Sequence, residues 1–480
     1  MTMPNEFIVA IELGSSKMTG IAGRNNIDGS ITVYAVVEED SSACIRKGVV
    51  YNLDKTGQCL TNIIKRLKTI LKHDITQVYV GVGGQSIRSI KNVIVKDFPG
   101  GTIVSQDMIN EIMDTNRMMS YNEQEILDSA VQEYKVDSQY QLDPVGIQCS
   151  HLEGNFLNIL WRKSFYNHIN TCFENAGIPI AEMYLAPLAL ADSVLTDTEK
   201  RVGCALIDLG ADTTTVCVYY KNILRHLAVI PLGSANINKD LTNTFQLEET
   251  EAENMKLKYG SAYTDNSAID GLPNYIVDQD RQIESRKFIE LVEGRLTEII
   301  ENAWFQVPSD YSEKLMAGIV LTGGGSNMPD IQKAFRNHTQ TEKIRIAGSV
   351  TQSVNSTDPK ITEQKGMMNT ILGLLAKGNM NCAGEETRND LFDTAANNDN
   401  SRPVRNVNET TKVGVVLTAA EKQKVEEEAR KKREEEEKAK REAEEEEARR
   451  IEEERRKNSF LHKMSSKIMQ FGKKMIEPDE

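Results

Sequence analysis

The sequence predicts an α/β protein of two lobes built on a duplicated strand, loop and strand unit, with an inserted α+β subdomain and a low-complexity tail. Three observations carry this. A strand, a glycine loop and two further strands near residue 7 return in the same order near residue 203. A segment of different character separates the two copies, and the composition changes abruptly after Gly378. At 480 residues the chain exceeds what one hydrophobic core organises, so several units of ordinary domain size are expected.

From Phe7, FIVAIEL, KMTGIAG and SITVYAVVEE read as strands joined by a glycine loop and an Asp28-Gly29 turn, followed by a helix over KTGQCLTNIIKRLKTILK. The stretch from VYVGVGGQSIRSI to FLNILWRKS reads as the inserted subdomain, with short strands and a long helix around Asp107 to Tyr134. GCALIDLG, ADTTT, VCVYY, a Lys221-Asn222 turn and ILRHLAVIPLG then repeat the opening order. The offset is constant, since 208 − 12 for Glu12 and Asp208 and 210 − 14 for Gly14 and Gly210 both give 196. Two unrelated hairpins are the alternative, and they have no reason to keep that offset. In SRKFIELVEGRLTEIIENAW, Phe288, Leu291, Val292, Leu296 and Ile299 have the spacing of a core-facing helix.

The tail divides into three. Residues 379–411 are rich in Asn, Asp, Thr and Ser with few apolar positions, so a disordered linker is expected over 379–420. Between Glu421 and Lys457 there are 16 Glu and 14 Lys or Arg in 37 residues, without a sustained apolar seam, which disfavours a coiled coil. Glu stands four residues before a base at Glu426/Arg430, Glu434/Lys438 and Glu445/Arg449, so 421–457 reads as a charged helix about 55 Å long or as a solvated coil. Over 458–476, Phe460, Leu461, Met464, Ile468, Phe471 and Met475 fall within about 100° of a helical projection. Lys463, Lys467 and Lys474 lie beside that face, as in a helix that lies on an anionic membrane surface. A helix docked on the protein itself or on a partner is the alternative. Apolar burial and lysine attraction together supply at most about 10 kcal/mol before folding costs, so a single copy binds reversibly and self-association is needed to multiply the tails.

Net charge is −14, and no Lys/Arg cluster interleaves with aromatics, which argues against nucleic acid as a partner of the globular part. The seven cysteines are scattered without CxxC spacing, as suits a reducing cytosol. The start, MTMPNEFIVAIELG, has no basic region and its apolar run is broken by Glu12, so no secretory signal is read. No run of roughly 18 apolar residues is present, and no membrane-spanning helix is expected.

The candidate chemistry lies in three loops. Glu12 at a strand end is followed by Gly14, Ser15, Ser16 and Lys17, which supply N–H donors, hydroxyls and an ammonium suited to a polyphosphate. The matching loop Asp208, Gly210, Ala211, Asp212 and Thr213 is expected to face it across a cleft. Glu12 and Asp208 are then placed to bind Mg²⁺ through water, since that ion keeps much of its hydration shell. In GIVLTGGGSNMPDI, Gly323, Gly324 and Gly325 follow a buried-type strand, where absent side chains let backbone approach a flat base or ribose. One such loop reads as a tight turn. Three in this order read as a nucleotide cleft.

These motifs resemble those of the actin, hexokinase and heat-shock chaperone superfamily, and more closely those of the FtsA family of bacterial cell-division proteins. AIELGSSKMTGIAG resembles the first phosphate motif, CALIDLGADTTTVCVY the second and AGIVLTGGGSNM the adenosine motif. EAENMKLKYGSA resembles the segment whose Glu and Lys lie near the adenosine, here Glu253 and Lys256, and IPLGSANINKDL puts Gly233 at another family loop. VYVGVGGQSI opens the insertion that FtsA shares with the pilus protein PilM. The resemblance covers roughly residues 6–378 and the chain's end. It implies a two-lobed actin-like ATPase fold with duplicated ribonuclease-H-like domains. Subdomain 1A is expected over 7–84 with 164–200 and 361–378, and 1C over 85–163. Subdomain 2A is expected over 201–243 with 312–360, and 2B over 244–311. AEMYLAPLALADSVL and MMNTILGLLAKG are expected to form helices crossing between the lobes.

The resemblance also implies a function: ATP and Mg²⁺ binding, self-association into filaments, and tethering of the FtsZ ring to the inner face of the cytoplasmic membrane at the division site. Lys287 and Arg295 match basic positions that receive the FtsZ C-terminal peptide, and 1C is expected to recruit later division proteins. One departure matters. Gly210-Ala211-Asp212 stands where relatives have a run of glycines, and Thr215 where some carry an acid. No His or Glu is placed as an evident general base, which leaves Asp212 as the catalytic candidate and slow or absent ATP turnover as the expectation. A superfamily kinase would need a catalytic Asp and a second substrate pocket, for which no candidate is found. A PilM-like pilus adaptor or another ATP-dependent membrane scaffold would share the core, but the pilus adaptor is not expected to end in this tail.

Overall fold

Nearly unbroken burial along β1 (Ile8–Leu13) makes it the centre of the first lobe. The protein is represented by a computed structural model that describes residues 6–269, 271–386, 415–416 and Arg430. β1 pairs antiparallel with β2 (Lys17–Asn25), and β2 with β3 (Ile31–Asp40). The helix α1 (Leu53–Leu71) starts where the Asn52 side chain accepts the Lys55 N–H and ends at Lys72 in left-handed backbone. Its buried face, Leu60, Ile63, Ile64, Leu67 and Leu71, packs on β2 at Gly20, where a Cβ would stand 2.3 Å from Ile63 Cγ2. β4 (Val78–Val82) then joins β1 in parallel.

The insertion is a sheet with one helix. β5 (Arg88–Ile103), α2 (Gln106–Arg117), β6 (Gln124–Val136) and β7 (Gln148–Arg162) follow in order, and β7 pairs antiparallel with both β5 and β6. The expected long helix ends at Arg117. Its second half is the strand β6, because pairing with β7 and with Gln139–Gln141 and burial of Tyr134 and Val136 outweigh the helix propensity of its Glu, Gln and Ala residues. The strands are also long, not short. After α3 (Lys163–Asn175), the chain re-enters the first lobe as β8 (Ile180–Leu185), parallel to β4, and α4 (Ala186–Val194).

The second lobe repeats the first. In β9 (Cys204–Leu209) and β10 (Thr214–Tyr220), Asp208 is paired with Thr215 and Leu209 with Thr214. In β1 and β2, Glu12 is paired with Thr19 and Leu13 with Met18. Each position is displaced by 196, as 208 − 12 and 215 − 19 show, so the duplication is kept to the residue in the hydrogen-bond register. The next hairpin differs: β11 (Ile223–Ile230) follows a two-residue turn in which Lys221 and Asn222 both have positive φ, the geometry that matches strand twist. Arg88 pairs with Ala228, so the insertion's strands extend the sheet of the second lobe although they interrupt the first.

α5 (Ala235–Phe245), α6 (Glu249–Tyr259) and α7 (Ser285–Phe305) share a core of Ile237, Leu241, Ala252, Met255, Phe288 and Val292. Further along α7, Leu296, Ile299, Ile300 and Ala303 belong instead to the second lobe's sheet core. That sheet continues with β12 (Gly318–Thr322), parallel to β9, and β13 (Ile344–Ile346). α8 (Asn369–Lys377) packs on α4, and a Cβ at Gly373 would fall 2.5 Å from the Ala189 carbonyl oxygen. These are the two small-residue helices expected to cross between the lobes, and they pack on each other.

Residues 379–386, expected to begin the linker, instead pack on the first lobe. Asn379 and Met380 donate their N–H groups to the Tyr79 hydroxyl, Cys382 is fully buried, and Ala383–Glu386 pairs with His73–Ile75. Polar residues there serve backbone groups of the first lobe: the Asn381 side chain accepts the Phe7 N–H. β14 (Val415–Val416), also within the expected linker, pairs with Met183 and Tyr184 of β8. The first-lobe sheet thus runs Val354–Asn355, β3, β2, β1, β4, β8, β14, and the second Gln139–Gln141, β6, β7, β5, β11, β10, β9, β12, β13. Of 421–457 only Arg430 is described, helical and exposed, and 458–476 lies outside the described residues. Among the described residues no helix is long and apolar enough to cross a membrane. All seven cysteines are unpaired.

Candidate functional site

The tight turn after β1 exists because Gly14 has no side chain: a Cβ would stand 2.5 Å from the Lys17 carbonyl oxygen. Its counterpart obeys the same rule, with a Cβ at Gly210 falling 2.7 Å from the Thr213 oxygen. Both loops are pinned from beneath. The Ser41 hydroxyl donates to the Gly14 carbonyl at 2.6 Å, and Gly48 N–H donates to Ser15 Oγ at 2.8 Å. On the other side Ser234 and Ala235 donate N–H to the Gly210 and Ala211 carbonyls. Gly233 permits this, since a Cβ there would be 2.3 Å from Ala211 O. Lys17, expected to point at a phosphate, instead bonds Glu38 Oε1 at 2.5 Å, and Lys360 bonds the other oxygen at 2.5 Å. Burial raises Glu38, but the two ammonium groups outweigh it and hold its carboxyl below the usual range.

The third loop supports the second. Gly323 has φ 83° and ψ 172°, a region open to glycine, and a Cβ there would sit 2.3 Å from Asp208 Oδ1 and 2.7 Å from Leu209 O. Gly325 approaches Leu209 with similar closeness, whereas Gly324 has nothing nearer than Met367 Sδ at 3.8 Å. Asp208 therefore rests on the glycine loop.

Glu12 and Asp208 are the electrostatic centre. Burial first, then the charge of Asp208, pushes the Glu12 carboxyl up to about 8 against the pull of Lys17 and a Thr370 hydrogen bond. Burial pushes Asp208 up to about 6. Both side chains keep some surface open. Two carboxylates that resist ionisation yet stay accessible fit a divalent cation, whose charge would reverse both shifts. Among the described residues no three His, Cys, Asp or Glu groups form a metal cluster; Glu12 and Asp208 could hold an ion that keeps much of its hydration shell.

A pH prediction follows for the protein without nucleotide or cation. A carboxyl whose pKa is raised on folding costs stability as pH climbs from its unfolded value near 4.5 to its folded value near 8. Wild type should lose roughly 2–4 kcal/mol across that window relative to Glu12→Gln. Thermal midpoints at pH 5 and pH 8.5 check it: a variant as pH-sensitive as wild type contradicts the assignment.

Comparison with known proteins shows the family. The sequence model described as cell division protein FtsA matches residues 205–365, and that for the SHS2 domain inserted in FtsA matches residues 84–160. The cell division protein FtsA of Porphyromonas gingivalis is 31% identical over 358 residues, covering 73% of each chain. The chain belongs to the FtsA family of cell-division proteins. FtsA of Neisseria meningitidis is 28% identical over 390 residues, covering 79% of this chain and 93% of that one. Among solved structures, the PilM-PilN type IV pilus biogenesis complex matches with a TM-score of 0.54 at 14% identity, covering 78% of this chain and 98% of that one, which shows the shared fold. An actin-like fold and a role in cell division are thereby established.

The remaining candidate residues of this FtsA-family chain fall in two places. Glu253 accepts hydrogen bonds from Asn238 Nδ2 at 2.5 Å and from the buried Lys256 Nζ at 2.6 Å, while Asn238 Oδ1 is buried with no partner, as at a site shaped for a further donor. Burial raises the Glu253 carboxyl, but Lys256 and Asn238 outweigh it and hold it low. On α7, Lys287 is exposed with its ammonium 5.7 Å over the Phe245 ring. Arg295 is engaged within the chain: it grips Asp240 at 2.6 and 3.0 Å and bonds Glu298, joining α7 to α5. The sequence reading missed Lys47 and Gly48. Lys47 N–H donates to Asp212 Oδ2 at 3.0 Å, so the catalytic candidate already holds a partner from the other lobe. No local pattern signals that contact.

Proposed function

We propose that this chain binds Mg-ATP between its two carboxylate-ended loops, self-associates, and tethers FtsZ filaments to the inner face of the cytoplasmic membrane at the division site. The observation that carries the nucleotide reading is the register-matched pair Glu12 and Asp208, duplicated to the residue, both lifted in pKa by burial and Glu12 also by the charge of Asp208. Gly14, Ser15, Ser16 and Lys17 lie on one side and Gly210, Asp212, Thr213 and Gly233 on the other, with Gly323, Gly324 and Gly325 below Asp208. Glu253 and Lys256 stand for the nucleoside end. Glu12 and Asp208 would hold Mg²⁺ through its waters, and the ion's part is to neutralise phosphate charge. Solved structures at low identity carry the fold alone, so the cleft's own residues support the ligand.

The membrane contact belongs to 458–476, through Phe460, Leu461, Met464, Ile468, Phe471 and Met475 with Lys463, Lys467 and Lys474. The inserted subdomain, a sheet with its own core, is the surface for later division proteins. For FtsZ, the exposed Lys287 is free to meet an acidic peptide, whereas Arg295 must exchange Asp240 or Glu298 for it. Lys287→Ala should weaken binding of an FtsZ C-terminal peptide roughly tenfold, the scale of one charge-assisted contact. Fluorescence anisotropy with the labelled peptide measures this; unchanged affinity in both Lys287→Ala and Arg295→Ala rejects the assignment.

A further inference from the structure

The turn at Lys47 and Gly48 touches three parts of the protein at once: both loops and the root of the insertion. Both residues have left-handed backbone, φ 51° and 71°, and their successive N–H groups serve the two phosphate loops. Lys47 N–H goes to Asp212 Oδ2 of the second lobe at 3.0 Å, and Gly48 N–H to Ser15 Oγ of the first at 2.8 Å. The Lys47 carbonyl accepts Gln85 N–H at 2.8 Å, at the root of the inserted subdomain. Gly48 and Gly84 lie backbone to backbone: a Cβ on Gly48 would be 2.5 Å from Gly84 Cα, and one on Gly84 2.3 Å from Gly48 O. A displacement of the turn therefore moves the loops and the insertion together. A carboxylate beside a polyphosphate is repulsive unless a donor takes up its charge, and Lys47 N–H is that donor. Neither glycine nor alanine at position 212 has an oxygen to reach it.

We propose that Asp212 is a cross-lobe latch: seated on Lys47 N–H, it holds the lobes in register, and a nucleotide bound between the two loops takes over that holding where the latch is lost. The proposal rests on the nucleotide reading of the cleft and gives Asp212 a positioning role in place of a catalytic one. Through Gly84 and Gln85, the same turn passes the state of the cleft to the inserted subdomain.

Amide hydrogen exchange on the full-length chain tests it at Gly48 and Gln85, whose own partners are unaltered by substitution at 212. In Asp212→Gly without nucleotide, both amides should exchange roughly tenfold faster than in wild type, the scale of one lost hydrogen bond. Core amides of β9 should keep their protection, which shows that the variant is folded. Asp212→Asn, which retains a neutral acceptor, should fall between the two. Saturating Mg-ATP should restore slow exchange in Asp212→Gly. Wild-type exchange at Gly48 and Gln85 in the nucleotide-free variant overturns the latch, and ATP that binds without restoring protection overturns the takeover. Failure of wild type to bind Mg-ATP sinks the nucleotide reading and the takeover with it, while the nucleotide-free comparison still decides the latch.

Discussion

Gly323→Ala is expected to abolish measurable Mg-ATP binding and to lower stability by roughly 2–4 kcal/mol. Two costs combine. The backbone at φ 83° and ψ 172° is open to glycine and strained for alanine, and the new methyl carbon would lie 2.3 Å from Asp208 Oδ1 and 2.7 Å from the Leu209 carbonyl. Backbone oxygen does not yield, so Asp208 is the group that moves, and with it one of the two carboxylates proposed to hold the cation. Gly324→Ala is the matched control for stability, because within the chain its methyl would meet nothing nearer than Met367 Sδ at 3.8 Å. Isothermal titration with Mg-ATP and a thermal melt separate the two variants. Equal binding and equal midpoints would contradict the role given to Gly323.

Removing residues 458–480 is expected to lower membrane binding more than 100-fold while leaving the folded core unchanged. Among the described residues, the last segments to join the core are Ala383–Glu386 and β14, both well before 458. Six part-buried apolar side chains and neighbouring lysines give one tail at most about 10 kcal/mol before the cost of ordering it, so a single attachment is reversible. Linked tails gain effective concentration, and avidity then rises steeply with assembly.

The duplication was legible because its signal is strand pattern plus a constant offset, and the structure keeps that offset in hydrogen-bond register from Glu12–Thr19 to Asp208–Thr215. The glycine loops were legible for the same reason: Gly14 and Gly210 face the same steric demand from Lys17 O and Thr213 O. What failed were features set by tertiary partners. QEILDSAVQEYKV has the composition of a helix, and only pairing on both flanks makes it β6. The segment after Gly378 looks like linker until Tyr79, Phe7 and His73–Ile75 give its polar groups partners. Lys17 and Arg295 were singled out for a polyphosphate and a peptide, and nothing in the sequence signals that Glu38 and Asp240, distant along the chain, bond them. Lys47 escaped notice because its importance comes from Asp212, 165 positions away. Periodicity reports an element's own face, whereas these contacts report which faces the fold brings together.

ATP binding and membrane tethering are proposed to be one mechanism, with the core assembling tails too weak to act singly. Liposome sedimentation of the full-length chain, with and without Mg-ATP and over a range of protein concentrations, tests this most directly when run beside the chain lacking residues 458–480. Steep, ATP-dependent binding to anionic vesicles is expected, and it should disappear in the shortened chain. Equal sedimentation of the two chains, or tail-dependent binding indifferent to ATP at every concentration, would contradict it.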